Sequence, residues 1–238
     1  MDFIFRLIDF FYQKKKYDFL KEKVPNNIDI LIDVGAHHGD TINEFLRIFS
    51  IKKIYAFEPS KKNFEKLDIK IKKIKKYNPV KIKIYQYGLG EKNDILPLYE
   101  ITDGVSNTFN SLNTNSKYFK KKKLFTTLFG IKKFVKNKVP TKIIPLKELI
   151  VEENIDKIDF VKIDTEGFEF STLVGMDKEI KKVKFILFEH HYDNMLIKNY
   201  KFSDIHKLLQ NNGFRRIYKT KMPLRKSFDY IYENEKLI

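Results

Sequence analysis

The residues able to do chemistry in this chain gather at the ends of apolar runs. Asp33-Val34-Gly35-Ala36-His37-His38-Gly39 closes one run, Glu58-Pro59 a second, Tyr87-Gly88 a third, Asp164-Thr165-Glu166-Gly167 a fourth and Glu189-His190-His191 a fifth. Carboxylates and imidazoles brought together in this way suit proton transfer near neutral pH. Cysteine is absent, which excludes thiolate nucleophiles, disulfides and Cys-ligated zinc. The glycine turn from Asp33 to Gly39 lacks the Gly-Lys-Ser/Thr ending of a phosphate loop and the three-glycine dinucleotide pattern. In it Gly35 lets the backbone approach a ligand and Gly39 relieves crowding at a helix start. A strand–turn–helix junction can need both for structural reasons alone.

Glu58 narrows the choice. It lies 19 positions after Gly39, where an acidic residue closing the second strand can accept hydrogen bonds from both hydroxyls of a ribose. A surface carboxylate before a proline is the plainer reading. An anion there repels a diphosphate and suits a cation, and Asp33 on the same rim adds negative potential. The pair therefore favours an adenosine-bearing cation, S-adenosylmethionine (SAM), over a dinucleotide. Asp164, ending a central strand, is the first candidate for the chemistry, as base, as orienter of the acceptor or as holder of a divalent ion. Glu166, Glu189, His190 and His191 are the others. Neighbouring residues of an extended chain face opposite ways, so one histidine alone can face the site, and the reading favours His190. Glu166 and Glu169 also suit a helix N-terminus, whose dipole welcomes carboxylates. No ligand spacing demands a metal, and no metal-binding residue is assigned.

The elements that must hold these residues follow from periodicity. The length of 238 residues fits one domain, and 42% hydrophobic with 15% aromatic content rules out global disorder. From Ile28 onward, short apolar runs alternate with helix-period segments, the pattern of a parallel sheet with helices on both faces. Strands are predicted over Ile28–Val34, Lys53–Phe57, Lys81–Tyr87, Val139–Ile144, Ile158–Ile163, Val183–Phe188, Phe214–Thr220 and Ser227–Tyr232. Helices are predicted over Asp40–Phe49, from a cap at Ser60 to Lys76, over Leu146–Glu153 and Phe168–Val174, and from a cap at Ser203 to Asn211 with Gly213 as the stop. Between residues 95 and 139 the helical period is lost. There a small antiparallel excursion pairs Leu96–Ile101 with Val105–Leu112. A basic insertion from Ser116 to Lys138 follows, either a cap over the substrate or a solvated decoration. Residues 1–27 form an N-terminal helical extension. Its Phe3, Leu7, Phe10 and Phe11 share one face, which docks on the domain or rests weakly on anionic lipid.

Several of these segments carry a family resemblance. Asp33-Val-Gly-Ala, Gly39-Asp-Thr41, Phe57-Glu58-Pro59 and above all Val161-Lys-Ile-Asp164-Thr-Glu166-Gly167-Phe-Glu169 resemble, in order and spacing, the FkbM family of SAM-dependent methyltransferases. The likeness runs from about Ile28 to His191. It implies the class I, Rossmann-like, seven-stranded and mostly parallel sheet with a reversed last strand. It also implies a SAM site at Asp33, Gly35, Ala36, Gly39, Thr41, Glu58, Pro59 and Gly88, and methyl transfer to a hydroxyl of a sugar, glycan or small molecule. His37 stands where the family most often has asparagine, and Ile144-Pro145-Leu146-Lys147 stands in place of its usual Leu-Asp-Asp/Glu-Leu, so an acid near the rim is missing.

The net charge of +16 tempts one toward nucleic acid, but the basic residues are 42 lysines and five arginines. Base readers lean on arginine forks, so coding bias toward lysine is the simpler explanation. Strand four also ends Asp-Thr-Glu-Gly, not in the Asn/Asp-Pro-Pro-aromatic motif that clamps a flipped base. A nucleic-acid methyltransferase and a non-catalytic SAM-fold subunit are the alternatives. No segment has the length of a membrane span or the layout of a signal peptide, and a cytoplasmic protein is expected.

Overall fold

The structure, a computed structural model, describes residues 2–101, 106–128, 134–223 and 225–238, without the side chains of 2–11, 125, 126 and 128. Seven strands form the main sheet: β1 (Asn27–Val34), β2 (Ser50–Phe57), β3 (Lys81–Tyr85), β7 (Ile158–Ile163), β8 (Val183–His191), β9 (Phe214–Lys221) and β10 (Ser227–Asn234). Their order is β3-β2-β1-β7-β8-β10-β9. All neighbours pair in parallel except β10, which runs against both β8 and β9. This is the sheet expected, with its reversed strand. The order turns back on itself between β1 and β7, and at such a point the two flanking loops part to leave a crevice.

The central strands are apolar on both sides, so each face binds its own layer of helices. On one face α1 (Asp2–Lys23), α2 (Asp40–Ile48) and α3 (Lys61–Lys75) bring Leu20, Phe45 and Leu67 onto Leu31, Ile54 and Phe160. On the other, α5 (Leu146–Glu152), α6 (Glu169–Val174) and α7 (Phe202–Asn211) bring Leu149, Leu173 and Leu209 onto Ile32, Val161 and Ile186. Each such buried side chain contributes roughly 1.5–3 kcal/mol, enough together to fix which residue of every strand faces which layer. In α1 the described side chains that reach this core are Tyr17, Phe19 and Leu20, with Val24 just beyond the helix. The predicted face of Phe3, Leu7, Phe10 and Phe11 lies outside the described side chains. Among the described residues no helix is long and apolar enough to cross a membrane.

The middle of the chain departs from expectation. β5 (Asp94–Ile101) pairs antiparallel with β6 (Val135–Ile144), not with 105–112, which touches it through one bridge, Tyr99 to Thr108. The strand expected at Val139–Ile144 therefore belongs to a second sheet of order β4-β6-β5. Its third member is β4 (Gly88–Leu89), a short strand that the sequence reading did not expect; it follows the strand expected over Lys81–Tyr87, which ends as β3 at Tyr85. Lys/Ile alternation gives a strand's period but not its partner. The basic insertion holds a helix, α4 (Lys117–Leu128); Val105 and residues 129–133 lie outside the described residues. Two caps also differ. Ser60 stands at the N-cap of α3, but its hydroxyl donates to Glu100 Oε1 at 3.0 Å. The N-cap of α7 is Lys201, whose N–H donates to Asp204 Oδ2 at 2.7 Å, and Ser203 lies inside the helix.

Candidate active site

The apolar alternation of the central strands breaks at one level. On the α1–α2 face, Asp33 of β1 lies in register with Lys162 of β7, and Glu189 of β8 with Asp229 of β10. Asp164 stands one step past the β7–β8 pair Ile163–Phe188, and so beside Glu189. Charged residues on four neighbouring strand tips thus form one row.

Asp33, at the β1 end of the row, is fully buried and does not line the cleft. Lys162 Nζ sits 3.3 Å from Asp33 Oδ1 and 3.4 Å from Asp164 Oδ2, and donates to the Gly35 carbonyl at 3.3 Å. Burial opposes the ammonium charge of Lys162, yet the two carboxylates hold its pKa above the usual range. Burial raises Asp33, with Lys162 pulling against it. Asp164, its side chain 38% exposed, is pushed up by burial but held below its usual value by Lys162, His191 and Lys16. One cation between two carboxylates leaves the wetter one the better ionised. Lys16, from α1, donates to Asp229 Oδ2 at 2.9 Å and ties that helix to the rim.

The cleft outside the row encloses about 380 Å³. Gly35, Ala36, Thr41, Glu58, Pro59 and Gly88 line it, as do Asp164, Glu166 and Glu189; Gly39 and His190 do not. Gly35 has φ +79°, and a Cβ there would come within 1.9 Å of the Asp164 carbonyl oxygen, so its close approach is to β7, the strand next door. Gly39 has φ +80°, and an added Cβ would meet Leu67 of α3 at 2.9 Å. Glu58, 5% exposed, accepts the His37 N–H and the Ser60 N–H, each at 2.9 Å. The His37 and His38 rings stack at 3.6 Å. With Asp40 they form the one group among the described residues whose three ligand atoms fall within 4.8 Å, and Asp40 is already engaged by Lys70. A wider hollow of about 770 Å³ under α1 shares Asp164 and Glu189 as its wall.

The Asp164-to-Glu169 turn is tightly built. Glu166 and Gly167 both have positive φ, 49° and 93°. Glu169, wholly buried, accepts the Gly167 N–H at 2.7 Å and the Tyr200 hydroxyl at 2.6 Å, and Thr108 donates to the Glu166 carbonyl at 2.7 Å. Glu169 thus shapes the turn, and Glu166 is the acid it presents. The imidazole facing Glu166 belongs to His191: Nε2 lies 3.3 Å from Glu166 Oε2 and 3.3 Å from Glu189 Oε1, with Asp193 Oδ2 3.6 Å from Nδ1. His190 points to the opposite face, among Tyr192, Tyr200 and Phe202, where burial drops its pKa to about 3 and keeps it neutral. The alternation rule was sound, but β8 is buried on both faces, so polarity gave no phase.

Comparison with known proteins follows from this geometry. The family model described as the methyltransferase FkbM domain matches residues 33–216. The chain belongs to the FkbM methyltransferase family. Among solved structures, an FkbM methyltransferase from Methylobacillus flagellatus KT superposes with a TM-score of 0.56 at 15% identity, over 89% of this chain and 45% of that one. This chain thus spans less than half of that protein. A putative rRNA methylase from Clostridium thermocellum gives a TM-score of 0.50 at 10% identity, over 93% and 94% of the two chains. Both likenesses are of fold. No curated protein matches the sequence.

In this FkbM-family cleft the glutamates, unlike Asp164, hold their protons unusually well. Burial lifts Glu58 to about 7, Glu166 to about 7 and Glu189 to about 8, Asp164 adding to the last two. Burial alone would lower His191, but Asp193, Glu166 and Glu189 hold it up at about 10. Against ordinary values of 4.5 for glutamate and 6.5 for histidine, all four folded values are raised. Each such group stabilises the fold at low pH and loses that contribution as pH climbs through its folded value. The ligand-free protein is therefore expected to melt about 4–8 °C lower at pH 9 than at pH 5, on the order of 2 kcal/mol. Thermal melts across that range measure it. Glu189→Gln should flatten the slope, and a melting point that rises with pH would show the cluster is not proton-rich.

Proposed function

We propose that this protein is a SAM-dependent O-methyltransferase acting on a hydroxyl of a sugar, glycan or small molecule. The observation that carries the reading is that Glu166 and Glu189, bridged from behind by His191, line the same cleft as Glu58. Glu58 ends β2 and Glu189 lies in β8, with β1 and β7 between them. Three strand spacings put them roughly 14 Å apart, room for a nucleoside, its reactive methyl and an acceptor in line.

The residues fit the donor. Glu58 offers a ribose a carboxylate already fixed by two backbone N–H groups, and Phe57, Tyr87 and Phe109 give a flat base an apolar wall. Asp164, kept charged by Lys162, presents negative potential to a cation. When bound, SAM supplies an electrophilic methyl group on a sulfonium. The protein's own task is to orient the acceptor oxygen and take its proton as the new bond forms. Glu166 and Glu189, with values near 7 and 8, suit that transfer around neutral pH. Asp164, held low, suits charge complementarity better than proton removal.

Two measurements test the reading. Calorimetry should show SAM binding, with Glu58→Ala weakening it at least tenfold, about 1.4 kcal/mol; unchanged affinity would mean the ribose lies elsewhere. Labelled methyl groups should pass from SAM into a glycan extract and not into RNA or DNA. Label in nucleic acid alone would replace this acceptor class with the other.

A further inference from the structure

Besides its acids, the cleft is lined at its exposed rim by one guanidinium, that of Arg225. Arg225 lies in the turn between β9 and β10 and lines the cleft together with Glu166 and Glu189. The other arginines with described side chains are engaged. Arg47 pairs with Glu44, Arg215 with Glu233 and Glu235, and Arg216 lies over the Tyr230 ring. Among the described residues Arg225 has neither a carboxylate partner nor a ring. In a chain with 42 lysines, general surface charge is supplied by lysine; a guanidinium is distinct in offering a planar fork to two oxygens at once.

A second element lies near Glu166: on α4, Tyr118 packs on the cluster of Met195 and Leu196, and Leu196 lies against Gly167, the residue after Glu166. Burial raises Glu166, while the charges of His191, Lys122 and Arg225 pull against it. Burial likewise raises the Tyr118 phenol, with Arg225 again pulling the other way. Lys122 is anchored by a 3.1 Å hydrogen bond to Ser106 Oγ, so its position is set by the inserted segment. Cationic groups from two separate elements thus lie close enough to act on the proposed proton acceptor, Arg225 from within the cleft lining and Lys122 from α4.

We propose that the methyl acceptor is itself an anion, a hydroxylated molecule bearing a carboxylate or phosphate that Arg225 grips at the rim of the cleft. Gripping it there sets the hydroxyl over Glu166. Such an acceptor complements the whole site: its negative end meets Arg225, and the cationic donor meets the acids of the cleft. It also gives the basic insertion a function, as a second cationic element beside the anion site. This deepens the methyltransferase reading and rests on it.

The test is calorimetric, on the full chain saturated with S-adenosylhomocysteine, at about 0.15 M salt so that diffuse attraction to surface lysines is screened. The probes are inorganic phosphate, glucuronate and, as the neutral control, glucose. Phosphate or glucuronate should bind saturably and glucose should not. Arg225→Gln should weaken the anion at least tenfold, Arg225→Lys should restore only part, and both should leave S-adenosylhomocysteine affinity within about twofold. Whichever probe loses more on substitution names the anion class. Equal anion binding by wild type and Arg225→Gln overturns the proposal. So does a parallel loss of S-adenosylhomocysteine affinity, which would assign the guanidinium to the donor's carboxylate. Wild-type protein that binds no S-adenosylhomocysteine would sink the methyltransferase reading instead, through a separate signal.

Discussion

Lys162→Met should cost about 3–5 kcal/mol of unfolding free energy, the usual penalty for removing one partner of a buried ion pair. The methionine fills much the same space, so packing is not the cause. Asp33 is wholly buried between β1 and α2, and Lys162 is the cation that compensates it. Without the ammonium, the Asp33 carboxylate either stays charged in an apolar layer or takes up a proton. Its folded pKa, already raised by burial, rises further. The sign of the pH effect follows: stability is recovered at low pH, where Asp33 is neutral in both states, and lost as pH rises through the new folded value. Urea denaturation at pH 5 and pH 8 should therefore show the larger deficit at pH 8. Lys162→Met combined with Asp33→Asn removes both charges and should regain most of the loss. A single variant within about 1 kcal/mol of wild type at pH 8 would show that the pair does not hold the strand tips together.

That buried pair marks the boundary of what the sequence could tell. Strand tips rich in acids, the glycine turn and the acid after β2 were all legible, because residue type and a period of two or 3.6 place them. The inward aim of Lys162 was not. A lysine one residue from the end of an apolar strand reads as a snorkelling surface group unless the opposite strand is known to bring Asp33 into register. Asp33 was read as part of the pocket for the same reason. The identity of the facing histidine needed the phase of β8, which a strand apolar on both faces conceals. Lys16 belongs to the run Lys14-Lys15-Lys16, and only the packing of α1 shows it reaching Asp229. The second sheet was missed because β5 finds its partner in a strand that begins in the last residues of the basic insertion and runs past it, a long-range pairing that local pattern does not encode.

The same neighbourhood logic divides the work between the two cleft glutamates. Glu189 is surrounded by carboxylates: burial raises it most, and Asp164, Glu166 and Asp229 each add to that, so at about 8 it keeps its proton near neutrality. Glu166 is buried too, but His191, Lys122 and Arg225 draw its value back to about 7. Two acids whose surroundings separate their pKa values take different roles. Glu166, at about 7, is the more readily ionised of the two near neutral pH and the one able to receive the acceptor's proton, with His191 as the imidazolium that steadies the charge. Glu166→Gln should therefore lower turnover about 10²–10⁴-fold while SAM affinity stays within about twofold. In the wild type, turnover should rise with pH through about 7 and level off above it, since the base works only when deprotonated. His191→Gln removes a charge that pulls both glutamates down, so its profile should shift to higher pH as well as fall in height. A merely structural role for His191 would lower the height and leave the midpoint in place. Near-normal turnover in Glu166→Gln, with the same midpoint, would move the proton acceptor out of this cluster and onto Asp164 or solvent.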